Sequence, residues 1–393
     1  MGDPFREVTS VSWFGRIRNA LAGVLVGLAV VLAMVAVLFW NEGRAVTTAR
    51  SLAEGARSVV SVPATAVDRA YEGRLIHVSG SLTASEGLVD EDFGVAAKGV
   101  RLVRTVEMFQ WVEHSKSETT TKVGGGEETV TTYSYAKEWQ GRPVSSAEFK
   151  QPQGHENPPM GLESRSFQIG EAGLGAFVLR KPVLDLIGNS DTLVLPPSQE
   201  AATQDAFTGS QRVSISDGRI VLGANPAAPA IGDYRIGYRL VPQGEVSVVG
   251  KQQAAGLAPY QTLAGDKLLM VDIGAVPADK MFANSVAANT IVTWLLRAGC
   301  LVLLAVGFGL VLSPLGVLAD AIPFVGSIVR MGTGLIAFVL ALLVGSATIS
   351  VAWFWYRPAL AAGIAIAGLA AALVLTWIGR RRAAAAPGAG ATA

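Results

Sequence analysis

The residues best suited to chemistry in this sequence are its three histidines and its single cysteine. Glu156 follows His155, but the zinc-protease helix also needs a second histidine four residues after the first, and none stands there. His77 and His114 could join a metal site with His155 only if the fold happened to bring them together. Cys300 has no partner for an internal disulfide. We therefore predict no metal site and no cofactor.

The motifs that usually mark an activated nucleophile or a phosphate cradle are also missing. No Gly-x-Ser-x-Gly elbow, phosphate loop or dinucleotide fingerprint occurs. The glycine run Gly124–Gly126 lacks the strand-to-helix setting of a phosphate-binding loop. We predict no catalytic residues. The alternative that stays open is a membrane-bound enzyme using His155 and Glu156, or a transport or pore component.

A polar group stands where the first long apolar segment ends. Asn41, Glu42, Gly43 and Arg44 follow Trp40 at this point. Glu42 and Arg44 could form a functional ion pair, or dock the following domain against the later apolar segments. The simpler alternative is a capped span end with Trp40 at the membrane interface. We predict a docking role for the four residues.

Small residues recur at helical spacing in two of the apolar segments. Gly23 and Gly27 are four residues apart, and so are Gly363 and Ala367. This spacing lets two helices approach closely, either within one chain or between chains. We predict that these four residues form helix–helix interfaces.

Four apolar segments must position these groups. A helix of about 20 apolar residues crosses the hydrocarbon core of a bilayer. The predicted spans are residues 20–40, 291–312, 331–356 and 357–379. Leu21–Trp40, Met331–Tyr356 and Pro358–Gly379 contain no ionisable residue, which argues against a pump or a proton-coupled transporter. Residues 313–330 carry Pro314 and Pro323 and are predicted to be interfacial or re-entrant.

Arginines near the span ends predict the orientation. Cytoplasmic loops are enriched in Lys and Arg, and with four spans one side of the membrane collects Arg6, Arg16, Arg18, Arg330, Arg380, Arg381 and Arg382. We therefore predict a cytoplasmic head over residues 1–19 and a basic, then disordered, cytoplasmic tail over 380–393. Residues 41–290 are predicted to be extracytoplasmic.

Residues 41–290 are predicted to form a β-rich domain with a helix at each end, which makes the fold class an α+β membrane protein. The flanking helices are Ala45–Val62, from its apolar spacing, and Asp279–Ala298, which continues into the second span. The predicted strands alternate in polarity or carry β-branched and aromatic residues: Leu75–Leu82, Leu102–Val112, Thr129–Trp139, Arg212–Ile215, Asp233–Leu240 and Lys267–Ile273.

Two local patterns refine the β-rich domain. A hairpin pairs Glu107–Glu113 with Val130–Tyr135, and the polar Ser115–Lys122 is interpreted as its solvated extension. Glu72–Gly80 resembles Gly244–Gly250, since each has a Gly turn, an apolar strand and a closing Gly. The second pattern favours either OB-like barrel elements or two ordinary strands, and both stay open.

The charge balance excludes one class of partner. The 32 Lys and Arg residues nearly balance the 31 Asp and Glu residues. Nucleic-acid binding requires a basic patch that displaces counterions. We therefore predict no nucleic-acid partner.

Several segments resemble a known family. Phe39–Val46 reads Phe-Trp-Asn-Glu-Gly-Arg-Ala-Val, and Thr48–Leu52 and Glu54-Gly55 follow it. Further similar segments are Tyr135, Lys137-Glu138-Trp139, Phe149, His155–Pro158 and Pro323–Ser327. In these segments, and in one span before the domain and three after it, the chain resembles the LUMA family, also called the transmembrane protein 43 family.

The resemblance implies a membrane organiser with no established catalytic activity. Eukaryotic members reside in the endoplasmic reticulum and inner nuclear membrane, self-associate, and act with emerin and lamins. The Ala-, Gly- and Arg-rich composition here is typical of a bacterial protein, to which those two partners would not transfer. We expect a non-enzymatic scaffold whose partners are itself, the lipid bilayer and unidentified membrane proteins. It would lie in a bacterial inner membrane with a periplasmic domain, or, if eukaryotic, in the endoplasmic reticulum or inner nuclear membrane with a luminal domain.

Overall fold

The computed structural model of the chain describes residues 5–84 and 86–385. They form an α+β fold, as predicted, that divides into two compact units. Unit 1 contains residues up to Val11 together with 51–121 and 127–286. Unit 2 contains 12–50, the short segment 122–126, and the chain from 287 onwards.

Long helices make up most of unit 2. The helices in chain order are α1 (Trp13–Ser58), α2 (Lys181–Leu184), α3 (Glu200–Ala206), α4 (Ala278–Ala319), α5 (Pro323–Tyr356) and α6 (Pro358–Ala385). Within the described residues, three helices are long and apolar enough to cross a membrane: Trp13–Ser58, Ala278–Ala319 and Phe324–Tyr356. Each contains one of the first three predicted spans.

The helices extend beyond the predicted spans at both ends. Helix α1 joins the first span to most of the predicted helix Ala45–Val62 but ends at Ser58, and Val60–Ser61 forms a strand instead. Helix α4 joins Asp279–Ala298 to the second span. The predicted interfacial segment 313–330 is mostly helical, because α4 accommodates Pro314 and α5 begins at Pro323.

The fourth predicted span, 357–379, falls on α6. Among the described residues, the apolar part of α6 is Pro358–Gly368, which is shorter than a span. The predicted tail 380–393 begins inside α6, which runs to Ala385, and its remainder lies outside the described residues.

The strands are short except for one hairpin. In chain order they are β1 (Phe5–Val11), β2 (Val60–Ser61), β3 (Leu75–Thr83), β4 (Leu88–Asp90), β5 (Val95–Ala97), β6 (Arg101–Thr121), β7 (Glu127–Gln140), β8 (Arg165–Gln168), β9 (Glu171–Leu174), β10 (Phe177–Arg180), β11 (Asp191–Leu193), β12 (Val213–Ser216), β13 (Arg219–Leu222), β14 (Tyr234–Val241), β15 (Gly244–Gln253), β16 (Gly256–Ala258), β17 (Tyr260–Gln261), β18 (Lys267–Leu268) and β19 (Met270–Ile273). Each predicted strand overlaps one or two of these.

Two large sheets organise unit 1. The first has the order β1-β7-β6-β14-β13-β12, with β11 beside β14 and β8 beside β6. The second closes on itself, since β15 pairs with β3 as well as with β16 and so completes a five-strand barrel of β3, β9, β10, β16 and β15. The barrel interpretation of the sequence is thereby confirmed. The two similar segments are its neighbouring strands β3 and β15, paired antiparallel with Val78 opposite Val248.

Strand β1 corrects the predicted boundary of the head, residues 1–19. Phe5–Val11 pairs antiparallel with β7, from Phe5 opposite Tyr133 to Val11 opposite Glu127. These residues therefore belong to the β-rich unit and do not form a separate head. The reason is long-range pairing, which a seven-residue segment without a clear period does not reveal.

Two apolar cores hold unit 1 together. The larger lies within the sheets and includes the fully buried Leu102, Phe177 and Tyr238. The smaller joins Leu52 near the end of α1 and Met281 and Phe282 at the start of α4 to the barrel and to β18. It is completed by Leu75, Val249 and Leu268. Burying one such side chain contributes about 1.5–3 kcal/mol, so these contacts fix both helix ends to the barrel.

Candidate functional site at the membrane exit

The predicted docking residues lie on α1 and face α4 and α5 within unit 2. Glu42 is 2% exposed and accepts two hydrogen bonds from Arg297, at 2.6 Å from Nε to Oε1 and 2.7 Å from Nη2 to Oε2. Trp353 donates its indole N–H to Oε2 of the same carboxylate at 2.9 Å. Paired charge-assisted bonds of this kind are strong and directional. One carboxylate thus connects three helices.

Aromatic rings flank the Arg297 guanidinium. Its central carbon lies 4.8 Å from the ring centre of Trp294 and 5.8 Å from that of Trp353. A cation over an indole face is stabilised by about 0.5–2 kcal/mol, more when water is excluded. The rings therefore shield the ion pair and favour one orientation of Arg297.

Arg44 belongs to a second, neighbouring network. Its Nη1 donates to Asn289 Oδ1 at 3.0 Å, and its Nη2 donates to Thr293 Oγ1 at 3.0 Å and to Asn41 Oδ1 at 3.2 Å. Asn41 donates in turn to the Thr293 carbonyl, and Asn289 donates to the Ala45 carbonyl. Asn41 is fully buried. This network ties α1 to α4 one turn beyond the ion pair.

Helical spacing explains both networks. Residues four apart lie on one face of a helix, so Asn289, Thr293 and Arg297 line a single face of α4. Residues two apart point away from each other, which is why Glu42 and Arg44 do not pair with each other. The polar triplet at four-residue spacing was the sequence signal for these partners, and sequence reasoning missed Asn289, Thr293 and Trp353.

Gly43 is needed for close approach. A Cβ atom there would lie 2.6 Å from Cζ of Tyr356 at the end of α5. The ring of Phe39 lies 5.3 Å from that of Tyr356, centre to centre. All four predicted docking residues therefore participate in contacts between α1 and the other helices of unit 2.

The small residues of α1 also serve contacts within the chain. A Cβ on Gly27 would lie 2.6 Å from the Gly307 carbonyl oxygen and 2.9 Å from Cβ of Leu310, so α1 and α4 cross closely there. Gly23 has its nearest neighbours at 4.0 Å. On α6, Gly363 and Ala367 are exposed, and their predicted interface stays a prediction.

A second buried carboxylate lies where α1 begins and α4 ends. Asp320 is fully buried, and its Oδ2 accepts hydrogen bonds from Arg16, at 2.6 Å, and from Arg330. Arg16 also donates to the Gly125 carbonyl at 2.5 Å. Gly125 has a φ of +82°, and a Cβ there would lie 2.3 Å from the Trp13 ring. The turn 122–126 is thereby held where α1 begins, and it belongs to unit 2.

The histidines lie in three separate places. His77 is buried in the barrel, where its Nε2 lies 2.9 Å from the Val276 carbonyl, and burial lowers its pKa. His114 bonds Glu138 on the hairpin, and His155 stacks on Tyr135 with ring centres 3.9 Å apart. Among residues 5–84 and 86–385, no three His, Cys, Asp or Glu side chains are grouped to hold a metal ion.

Known proteins are similar to this chain over almost its whole length. The family model described as transmembrane protein 43 matches residues 108–358. Human transmembrane protein 43 is 33% identical over 377 residues, covering 92% of this chain and 90% of the human protein.

The chain belongs to the transmembrane protein 43 family.

Other members of the transmembrane protein 43 family are similar to this chain over most of its length. The mouse protein is 33% identical over 88% of both chains, and the fruit-fly homolog is 30% identical over 84% of this chain and 88% of its own. No solved structure matches. Membership and the apolar helices establish a multi-pass membrane protein and confirm the resemblance drawn from the sequence.

Proposed function

We propose that this member of the transmembrane protein 43 family is a non-enzymatic membrane scaffold, which self-associates and organises membrane or partner proteins through its β-rich domain. The main observation behind the proposal is that Glu42 serves as a buried ion-pair partner between helices. Both of its carboxylate oxygens are hydrogen-bonded, to Arg297 and Trp353. A general acid or base must reach a substrate proton, and this group would have to break its ion pair first.

The other buried ionic groups support the same proposal. Arg104 in unit 1 pairs with Asp90 at 2.9 Å and with Asp92 at 2.7 Å, and Tyr238 donates to Asp90 at 2.7 Å. Asp90 and Arg104 are buried beside Phe93 and Tyr238 of the larger apolar core, while Asp92 is half-exposed. Such groups hold elements in place, which is what a scaffold requires.

An orientation is part of the proposal. Arg16, Arg18 and Arg330 lie near the end of unit 2 where α1 begins, and the positive-inside rule makes this end cytoplasmic. The turn 122–126 contacts that end, so it is cytoplasmic too. The barrel contains the far end of α1 in its smaller core, so the body of the domain is extracytoplasmic, and periplasmic in a bacterial inner membrane.

Two exposed residues offer a matched test of orientation. Val123 in the turn is 92% exposed and Leu263 near the barrel is 98% exposed. Each is replaced by Cys in a Cys300→Ala background, and cells permeable only at the outer membrane are treated with an impermeant thiol reagent. We expect labelling of Leu263→Cys and none of Val123→Cys until the inner membrane is lysed. Labelling of both from outside would overturn the orientation.

Self-association has its own test. The full chain in detergent is analysed by native mass spectrometry and by size exclusion with light scattering. We expect a defined multiple of the chain mass, with no small-molecule substrate retained. A monomer across detergents would remove the main support for the scaffold.

A further inference from the structure

Three strands near the hairpin turn form a polar ribbon with no further strand on either side among the described residues. The ribbon consists of β1, residues 115–121 of β6 and residues 127–133 of β7. The other neighbours of β6, which are β14 and β8, pair with it no further along than Met108. Both outer edges of the ribbon therefore present unpaired backbone groups, which are a template for another strand.

The ribbon also lacks an apolar face. Its central contacts are hydroxyl pairs, Ser117 with Thr131 and Thr119 with Thr129, each at 2.9 Å. Val8 on the edge strand is 59% exposed. Small sheets need an apolar face or a packed helix to be stable in water. The ribbon has no apolar face of its own, so a strand added at each edge would stabilise it by another route, through backbone hydrogen bonds.

We propose that neighbouring copies of this protein pair their ribbons edge to edge, with β1 of one copy beside β6 of the next. The inference rests on the proposed self-association and names its contact. The two edges are flush, because Phe5 and Ser115 both lie level with Tyr133 and Val11 and Thr121 both lie level with Glu127. Each copy offers one edge of each kind, so the contact repeats around a ring until every edge is paired.

Strand direction and charge define the pairing. β1 and β6 are each antiparallel to β7, so they run parallel to each other, and copies related by a rotation axis pair them in parallel. A level register would place Arg6 opposite Lys116 of the next copy. An offset of two residues keeps each side chain on its face and places Arg6 opposite Glu118 and Val8 opposite Thr120. Glu118 pairs with Lys116 of its own chain at 2.8 Å. The offset register places Arg6 beside the carboxylate of this pair, whereas the level register places it beside the ammonium group, so charge favours the offset.

Disulfide cross-linking between differently tagged copies tests the contact. Val8→Cys and Thr120→Cys are made separately in full-length Cys300→Ala protein and co-expressed, and the membranes are oxidised. We expect a covalent dimer containing both tags. Within one chain the two strands are two spacings apart, about 9.5 Å, and Val8 is level with Glu118 and not with Thr120. The two positions are therefore beyond the roughly 7 Å that a disulfide can bridge. Val8→Cys co-expressed with Val123→Cys, which is 92% exposed and lies in the turn of the same hairpin, is the control for random collision.

A charge swap tests the register. Arg6→Glu should lower cross-linking about fivefold, the scale of one unfavourable cross-strand pair, and Arg6→Glu with Glu118→Arg should restore it. A dimer formed by Val8→Cys alone would show β1 pairing with β1 and overturn the proposed contact. No cross-link despite an oligomeric mass would also overturn the contact, while leaving the scaffold function standing. A monomeric mass would overturn both.

Discussion

Glu42 and Asp320 are both buried carboxylates that face arginine, and they contact opposite ends of the first apolar segment of α1, yet they are used differently. Glu42 has one arginine, and both of its oxygens are hydrogen-bonded. Asp320 has two arginines on Oδ2, while its buried Oδ1 has no hydrogen-bond partner among the described residues. The first site is a complete pair between fixed helices. The second shares one oxygen between two cations, and Arg330 is 46% exposed.

The difference indicates two mechanical roles. The Glu42 site includes the sheltering rings of Trp294 and Trp353 and joins three helices. The Asp320 site joins the start of α1 to the α4–α5 connection and, through Arg16, to the turn 122–126. We infer that the Glu42 site holds the helices of unit 2 together and that the Asp320 site holds the turn 122–126 in place. Of the two arginines at Asp320, Arg16 contributes more to holding the turn than Arg330 does.

Removing the charge of Glu42 should have the largest effect on stability. Glu42→Gln leaves Arg297, which is 12% exposed, buried without a counter-charge. Breaking a buried pair on one side costs about 3–5 kcal/mol. Unfolding of the protein by SDS in mixed micelles measures the loss.

The control for this experiment removes both charges. Glu42→Leu with Arg297→Met replaces the pair by apolar groups of similar size and should recover most of the stability, because such replacements are often neutral. Arg297→Lys keeps the charge but loses the two-point contact and should be intermediate. A Glu42→Gln variant as stable as the original would contradict the role of this pair as the main joint.

The sequence predicted this site only in part. The apolar runs and Asn41–Arg44 located its α1 side, because a span end is visible from composition. Its counter-charge lies 255 positions away, at Arg297, and composition alone does not show which helices meet. The closure of the barrel by β15 and β3, and the pairing of β1 with β7, were hidden for the same reason. Alternation predicts that a strand exists, and its partner depends on long-range packing.

Gly27, between the two sites along α1, should give the second-largest effect. Gly27→Ile would force a side chain into the space taken by the Gly307 carbonyl and Leu310. Overpacking of this kind costs about 1–3 kcal/mol. Gly23→Ile is the matched control, since its neighbours lie at 4.0 Å, and it should cost less. Both variants should keep the oligomeric mass, because the Gly27 contact is within one chain. A smaller assembly only for Gly27→Ile would indicate an additional contact between copies.

The smallest effect is expected at Arg330, and it distinguishes the two arginines of Asp320. Arg330→Ala leaves Arg16 as the counter-charge, and a half-exposed ion pair contributes about 0–1 kcal/mol. Arg16→Ala should be more harmful, because Arg16 is 7% exposed and its loss also frees the Gly125 carbonyl. The rate at which a thiol reagent labels Val123→Cys in the Cys300→Ala background measures how firmly the turn 122–126 is held. We expect faster labelling with Arg16→Ala than with Arg330→Ala. Equal rates in the two variants would mean that the turn is held by Trp13 packing and not by this ion pair.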